Sequence, residues 1–323
     1  MLQYLVRRLL WSVVLFVAVT LVTYVIFFLV PANPARQAAG QSASPERVAE
    51  VEEFLGLNDP VYVQYFKFLK RLVIDGSLGQ SFVDRSSVND EIFRAAPITA
   101  SLVFGAMAMV LAISVPIGIL SALRPRSLLD RAAMTYVLIG ISLPSFWIAL
   151  VLSYLIGYKL GWTPIAGYCE VVSVPEAANC GGLLDWAYHM ILPWFALAIV
   201  QAGVYVRFIR AEVMETMSQD YVRTARAKGA PERTVMKDHI LRNALLPVVT
   251  ILGMDIGLLL GGAIFIETVF GLNGLGGTAI RSIGQFDLPT LQGVVIFGAV
   301  AIIIFTLIVD LLYAWIDPRI RLS

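Results

Sequence analysis

The chain has 323 residues, 58% of them hydrophobic and 15% charged. Soluble domains carry about a quarter charged residues, so this composition excludes an ordinary soluble domain and predicts a polytopic membrane protein. The net charge of +1 identifies no partner. No Gly-x4-Gly-Lys-Ser/Thr run that could cradle a phosphate occurs, so the chain itself is not expected to hydrolyse ATP. Its two histidines and two cysteines lack metal-ligand spacing.

Residues 9–30 form the first apolar run, behind Arg7 and Arg8. At ~1.5 Å rise per residue the run can cross a hydrocarbon core of ~30 Å. It is longer than a signal-peptide core, so an uncleaved first span is expected, ended by Pro31 and Pro34. Residues 31–97 are polar, with helix-like stretches at 45–54 and 61–74. In the second, Tyr62, Tyr65, Phe66, Phe68, Leu69, Leu72 and Val73 make one apolar stripe, read as packing against the protein's own spans. Further spans are expected at 98–123, 132–159, 187–208, 244–268 and 291–316. Pro116, Pro144 and Pro193 interrupt three of them, as helix kinks or at cavity-lining positions.

Lysine and arginine near the span ends set the orientation. With six spans and both termini inside, the inner segments hold Arg7 and Arg8, then Arg124, Arg126 and Arg131, the basic run from Arg207 to Arg242, and Arg319 and Arg321. The two short outer loops hold only Lys159 and Arg281. Cys169 and Cys180 share the outer connection 161–186, where an oxidising compartment predicts a disulfide that pins the loop. In the fifth span, Gly253, Gly257 and Gly261 recur at four-residue spacing, which lets another helix approach closely. That stripe can line a translocation path, meet a second subunit or pack within this one. Asp255 lies among them. A mid-span carboxylate costs about 2.5–3.5 kcal/mol on insertion scales, so it should face the bundle interior or a wet cavity, either in a structural hydrogen bond or against a passing cationic group.

The stretch 220–247 stands apart because it is basic between apolar runs. Asp220-Tyr221-Val222-Arg223-Thr224-Ala225-Arg226-Ala227-Lys228-Gly229 reads as a short helix. Asp220 is expected to cap its start, and Gly229 to end it in the left-handed conformation. Tyr221, Val222 and Ala225 share one face; Arg223, Arg226 and Lys228 point elsewhere. Small Ala225 and Ala227, with Tyr221 as an aromatic anchor, predict a peg that docks into a groove of a soluble partner.

This run resembles the coupling loop of bacterial binding-protein-dependent ABC transporter permeases. Arg223-Thr224-Ala225 stand where that family has Glu-Ala-Ala, Gly229 holds its glycine, and His239-Ile240-Leu241 lie near its Ile-x-Leu element, with the Leu-Pro pair later, at Leu246-Pro247. These departures fit the dipeptide/oligopeptide and nickel branch. Leu57-Asn58-Asp59-Pro60, Asp75-Gly76-Ser77-Leu78-Gly79, Glu267-Thr268-Val269-Phe270, Gly274-Leu275-Gly276, Asp287-Leu288-Pro289 and Asp317-Pro318-Arg319-Ile320-Arg321 are similar to the same branch, so the resemblance spans nearly the whole chain. The glycines around Gly274 read as a turn, not a nucleotide loop.

The resemblance implies an all-α polytopic membrane protein with six transmembrane helices, the type I ABC importer permease fold. Residues 1–30 would be the first span and 31–97 an extracytoplasmic insertion. Residues 98–323 would be the permease core, with its cytoplasmic coupling loop at 209–243. It further implies a channel-forming, non-catalytic subunit in the bacterial inner membrane, importing di- or oligopeptides or a nickel chelate. The implied partners are a second permease, two ATPase subunits that bind ATP and Mg, and an extracytoplasmic substrate-binding protein, with no nucleic acid. The alternative is an ion-driven secondary transporter using Asp255 and Asp310; it leaves the peg unexplained.

Overall fold

The computed structural model describes residues 2–29, 34–39, 43–55, 58–171 and 180–316. Pro31, Leu57 and residues 317–321, singled out above, lie outside them. Regular structure among the described residues is helical, apart from one isolated bridge between Gln80 and Ser87. The helices are α1 (Leu2–Tyr24, continued by a π turn at Val25–Leu29), α2 (Pro34–Ala39), α3 (Pro45–Leu55), α4 (Val61–Val73), α5 (Val88–Leu123), α6 (Leu128–Ser142) and α7 (Ser145–Lys159). They continue with α8 (Leu183–Met217), α9 (Asp220–Ala227), α10 (Glu232–Ala244), α11 (Leu246–Leu260), α12 (Ile264–Val269), α13 (Leu275–Gln285) and α14 (Leu288–Ile316).

Among the described residues, four helices are long and apolar enough to cross a membrane, at Val6–Phe27, Val88–Leu123, Leu183–Met217 and Leu288–Leu312. Two bent pairs, α6 with α7 and α10 with α11, raise the number to six if each is one span. Two expected spans need correction. Residues 132–159 are two helices bent by 103°. Proline lacks an N–H and disfavours the helical conformation of the residue before it, so Leu143 turns extended (φ −97°, ψ 131°) and Pro144 opens the next helix. Residues 244–268 are not one continuous helix either: α11 stops at Leu260, and Gly262 takes φ +124°, a left-handed conformation that favours glycine.

The chain folds as two compact units: residues 1–100, 257–267 and 273–307, and residues 101–256, 268–272 and 308–323. In the first, α4 is tied to α1 by paired polar groups. The Tyr24 hydroxyl donates to Gln64 Oε1 at 2.8 Å, the Thr20 and Tyr65 hydroxyls lie 3.0 Å apart, and Tyr65 also reaches the Val17 carbonyl at 3.3 Å. Around these bonds Tyr24, Phe68 and Ile296 form a core against Tyr65 and Leu72. The apolar stripe of α4 therefore divides, because Tyr62, Phe66 and Val73 face outward. Two buried carboxylates organise the rest of this unit. Asp287 accepts from Ser81 Oγ at 2.6 Å, Phe82 N at 3.0 Å and Thr290 Oγ1 at 2.7 Å. Glu267 accepts from Thr99 Oγ1 at 2.7 Å and Gly277 N at 2.9 Å, while the Thr99 hydroxyl accepts from Leu275 N at 2.8 Å.

The second unit is built on α8. Gly203 and Gly140 let α6 and α8 close up: a Cβ at Gly203 would lie 3.5 Å from Val137 Cα, and one at Gly140 3.7 Å from the Ile199 carbonyl oxygen. Trp194 lies over Gly105, where any side chain would collide with the indole, and donates to the Ser101 carbonyl at 2.8 Å. Ser127 caps α6 by accepting from Asp130 N at 3.2 Å. The Asp130 carboxylate then accepts from Arg210 Nε at 2.7 Å, Arg210 Nη2 at 3.1 Å, Arg126 N at 2.8 Å and Ser121 Oγ. That cluster fastens the α5–α6 turn to α8. Cys169 and Cys180 are joined as a disulfide, Cα atoms 5.5 Å apart, with the Cys169 sulfur 3.2 Å from His189 Nδ1.

Two outcomes are expected. Arg210→Met should leave the buried Asp130 carboxylate without its counter-charge, at a cost of about 3–5 kcal/mol, read as a lowered melting temperature in detergent; Asp130→Leu in the same background should recover part of the loss. The non-reduced protein should resist alkylation at Cys169 and Cys180, and reduction should cost stability on the order of 2–3 kcal/mol for so short a loop.

Candidate functional site

Helix α9 is a short, charge-dense element of the second unit in which all residues but Val222 and Ala225 are exposed. Its backbone begins one residue earlier than the expected cap. Gln219 is extended (φ −71°, ψ 148°), and its carbonyl accepts from Val222 N at 3.1 Å and Arg223 N at 3.3 Å. Asp220 is thus not the N-cap but the first helical residue. No side-chain cap bond forms, and the carboxylate acts on the helix through its charge at the positive end. It lies 3.7 Å from Arg223 one turn on.

The C-terminal end closes as read from the sequence. Gly229 takes φ +79°. Its N–H bonds to the Arg226 carbonyl at 2.9 Å, and Ala230 N–H bonds to the Ala225 carbonyl at 3.2 Å. These are the two bonds of a Schellman turn, which satisfies carbonyls the helix would otherwise leave open. Across the turn, Arg226 holds Glu232 with Nη2 at 2.6 Å and Nε at 3.1 Å. Tyr221 accepts at its hydroxyl from Asn243 Nδ2 at 3.2 Å, and Asn243 also donates to the His239 carbonyl at 2.8 Å. The segment from Asp220 to Asn243 is therefore a folded hairpin of helices.

The faces of α9 differ in part from expectation. Val222 and Ala225 are buried, and α9 packs on the 235–241 turn of α10, where Val235 and Ile240 are fully buried. Ala225 is therefore an anchor to the loop's own core, not an outward docking position. At 100° per residue the outward side carries Asp220, Arg223, Thr224, Ala227 and Lys228, with Tyr221 half-exposed at its edge. The outward small residue is Ala227.

The intramembrane candidates take up defined contacts. The buried Tyr205 donates its hydroxyl proton to Asp255 Oδ2 at 2.7 Å. Gly257 and Gly261 meet α14: a Cβ at Gly257 would lie 2.8 Å from Ile302 Cα, and one at Gly261 3.4 Å from Gly298 Cα. Gly253 is buried. The structure does not bring Asp255 or the cysteines to α9. The sequence reading missed Asp130, Arg210 and Tyr205. The Ser127-x-x-Asp130 spacing ahead of an apolar run was a visible capping signal, but nothing local marks a pairing with Arg210, 80 residues on.

Comparison with known proteins gives the same reading over the whole length. The family model "binding-protein-dependent transport system inner membrane component" matches residues 114–322, and the corresponding N-terminal model matches residues 1–103. The dipeptide transport system permease protein of Alkalihalophilus pseudofirmus is 37% identical, with 99% of this chain and 100% of that protein covered. The oligopeptide transport system permease protein of Bacillus subtilis is also 37% identical, with 99% of this chain and 100% of that protein covered. A solved amino acid ABC transporter crystallised with histidines is similar over 72% of this chain and 94% of its own, with a TM-score of 0.49 and 17% identity. The chain belongs to the family of inner membrane components of binding-protein-dependent transport systems.

Proposed function

We propose that this chain is the channel-forming permease subunit of an ATP-driven importer for di- or oligopeptides, and that α9 is where the ATPase docks. The observation that carries the reading is the end-to-end match to relatives named as dipeptide and oligopeptide permeases. A charged, outward-facing helix fastened into its own folded hairpin supports it. The ion-driven alternative has no use for that hairpin, and the family favours the ATP-driven reading. The reading places the hairpin in the cytoplasm with both termini, on the charge distribution, and the chain itself does no covalent chemistry. Its partners are a second, different permease, two ATPase subunits carrying ATP and Mg, and a substrate-binding protein on the opposite face.

Coupling requires that the ATPase contact α9 differently in its open and closed states. Closure of the ATPase pair shifts the peg. Because α8 runs to Met217 and α9 starts at Asp220, a displaced peg levers α8 at one end. At the other end the hairpin continues through α10 into α11 across a 40° bend. The Tyr205–Asp255 bond joins α8 to α11, so the two helices move as one body between inward- and outward-open arrangements.

The faces of α9 give separate outcomes for neighbouring residues. Ala227→Trp should leave the hairpin folded and the protein inserted but block copurification of the ATPase subunits. Ala225→Trp should disrupt the hairpin itself, exposing it to proteolysis, and Gly229→Val should misplace the peg by straining a left-handed backbone. If Ala227→Trp retains its ATPases and couples hydrolysis to uptake as the parent does, α9 is not the docking element. Asp255→Asn keeps an acceptor for the Tyr205 hydroxyl, so uptake of neutral and basic peptides should change in equal proportion. A selective loss of basic peptides would show instead that the carboxylate meets the substrate.

A further inference from the structure

Helix α4 carries two apolar faces, and only one is used inside the protein. Tyr65, Phe68 and Leu72 pack toward α1 and α14. Tyr62, Phe66, Leu69 and Val73 lie within a sector about 60° wide on the next face round, at about 100° per residue. Tyr62, Phe66 and Val73 are 67%, 64% and 62% exposed. The remaining circumference carries Lys67, Lys70 and Arg71, and the helix has no acidic residue. Lys67 pairs with Asp59, outside the helix, at 2.6 Å.

We infer that α4 is an interfacial helix, its Tyr62–Phe66–Leu69–Val73 stripe seated among lipid acyl chains and its Lys70 and Arg71 against anionic lipid headgroups. What covers the stripe follows from its attachment. α4 is hydrogen-bonded to the C-terminal third of α1 at Val17, Thr20 and Tyr24. That span shows apolar side chains along its length, among them Leu10, Trp11, Val14 and Val22. The stripe thus belongs to a helix bonded to a candidate span whose own apolar side chains are exposed. Tyrosine suits the boundary between chains and headgroups. Lysine and arginine there lay their stems along the apolar layer and keep their charge among phosphates. A basic polar face opposite an aromatic and aliphatic one is the pattern of helices that lie in a membrane surface.

The inference needs only that the chain spans a membrane, so it survives even if the peptide importer reading fails. The test is site-directed spin labelling of the intact transporter in vesicles of phosphatidylglycerol and phosphatidylcholine, the native cysteines being joined to each other. Labels at Tyr62→Cys, Phe66→Cys and Val73→Cys should collide with oxygen far more often than with a water-soluble nickel chelate; a label at Arg71→Cys should show the reverse. Using two stripe positions beyond Phe66 keeps the result readable if one variant fails to insert. The contrast should fall several-fold in pure phosphatidylcholine. Equal access of the chelate to the stripe and to position 71 overturns the inference by placing α4 in water. Exclusion of both reagents from the stripe overturns it by placing a protein subunit there. A contrast indifferent to phosphatidylglycerol overturns the headgroup contact.

Discussion

A bilayer offers no water to an unpaired N–H or C=O, so any break in a spanning helix must be closed by the protein itself. The carboxylate of Glu267 supplies hydrogen-bond partners where the chain breaks after α11. α11 ends at Leu260, and the chain turns through Gly262 before α12 and α13. The turn has no space for side chains: a Cβ at Gly262 would lie 2.8 Å from Gly276 Cα. Backbone donors at the start of α13 then need partners. Gly277 N–H donates to Glu267, Leu275 N–H donates to the Thr99 hydroxyl, and that hydroxyl in turn donates a hydrogen bond to Glu267. A charge buried without such partners would cost several kcal/mol; here it is satisfied by donors on both sides of the break.

The same logic separates the secure end of α9 from its open end. At Gly229 two backbone bonds close the helix, and a guanidinium reaches across the turn to Glu232. At Gln219 no side chain caps the helix. An isolated helix of this length would be marginal in water, so its persistence depends on Val222 and Ala225 packing against the turn of α10. That dependence decides what the loop can offer a partner. The residues that make it a helix face inward, and those left exposed are Thr224, Ala227 and the charges beside them.

Much of this was legible in the sequence, and the failures share a cause. Local chemistry was readable: the left-handed Gly229, the paired cysteines and the apolar spans all follow from residue types and spacing. Pairings between distant segments were not. Asp130 and Arg210 lie in different helices, and neither looks unusual in its own. Tyr205 gives no hint that it will meet Asp255. The two-faced character of α4 was present in its periodicity, but the choice of inner face was made by Tyr24 and Ile296, which lie far away along the chain. Pro144 was visible as an interruption, whereas the size of the bend depends on where α6 and α7 must go next.

Two of these long-range pairs bear on how a movement of α9 would be carried. Arg210 lies two turns before the end of α8, and its guanidinium is fixed to Asp130 by two bonds. A peg that moved α8 would therefore drag the α5–α6 turn, because the buried pair is costlier to separate than to move as a unit. Farther along α8, Gly203 and Gly140 bring backbones into contact with little side chain between them. A close-packed interface of this kind resists gradual deformation. In that geometry α6 and α8 behave as one rigid element. Helix geometry is interrupted at Leu143–Pro144 and between α10 and α11, where a change of bend would disturb the fewest helical bonds. If a partner moves α9, the ion pair would carry that movement from α8 to the α5–α6 turn and the bends would absorb it.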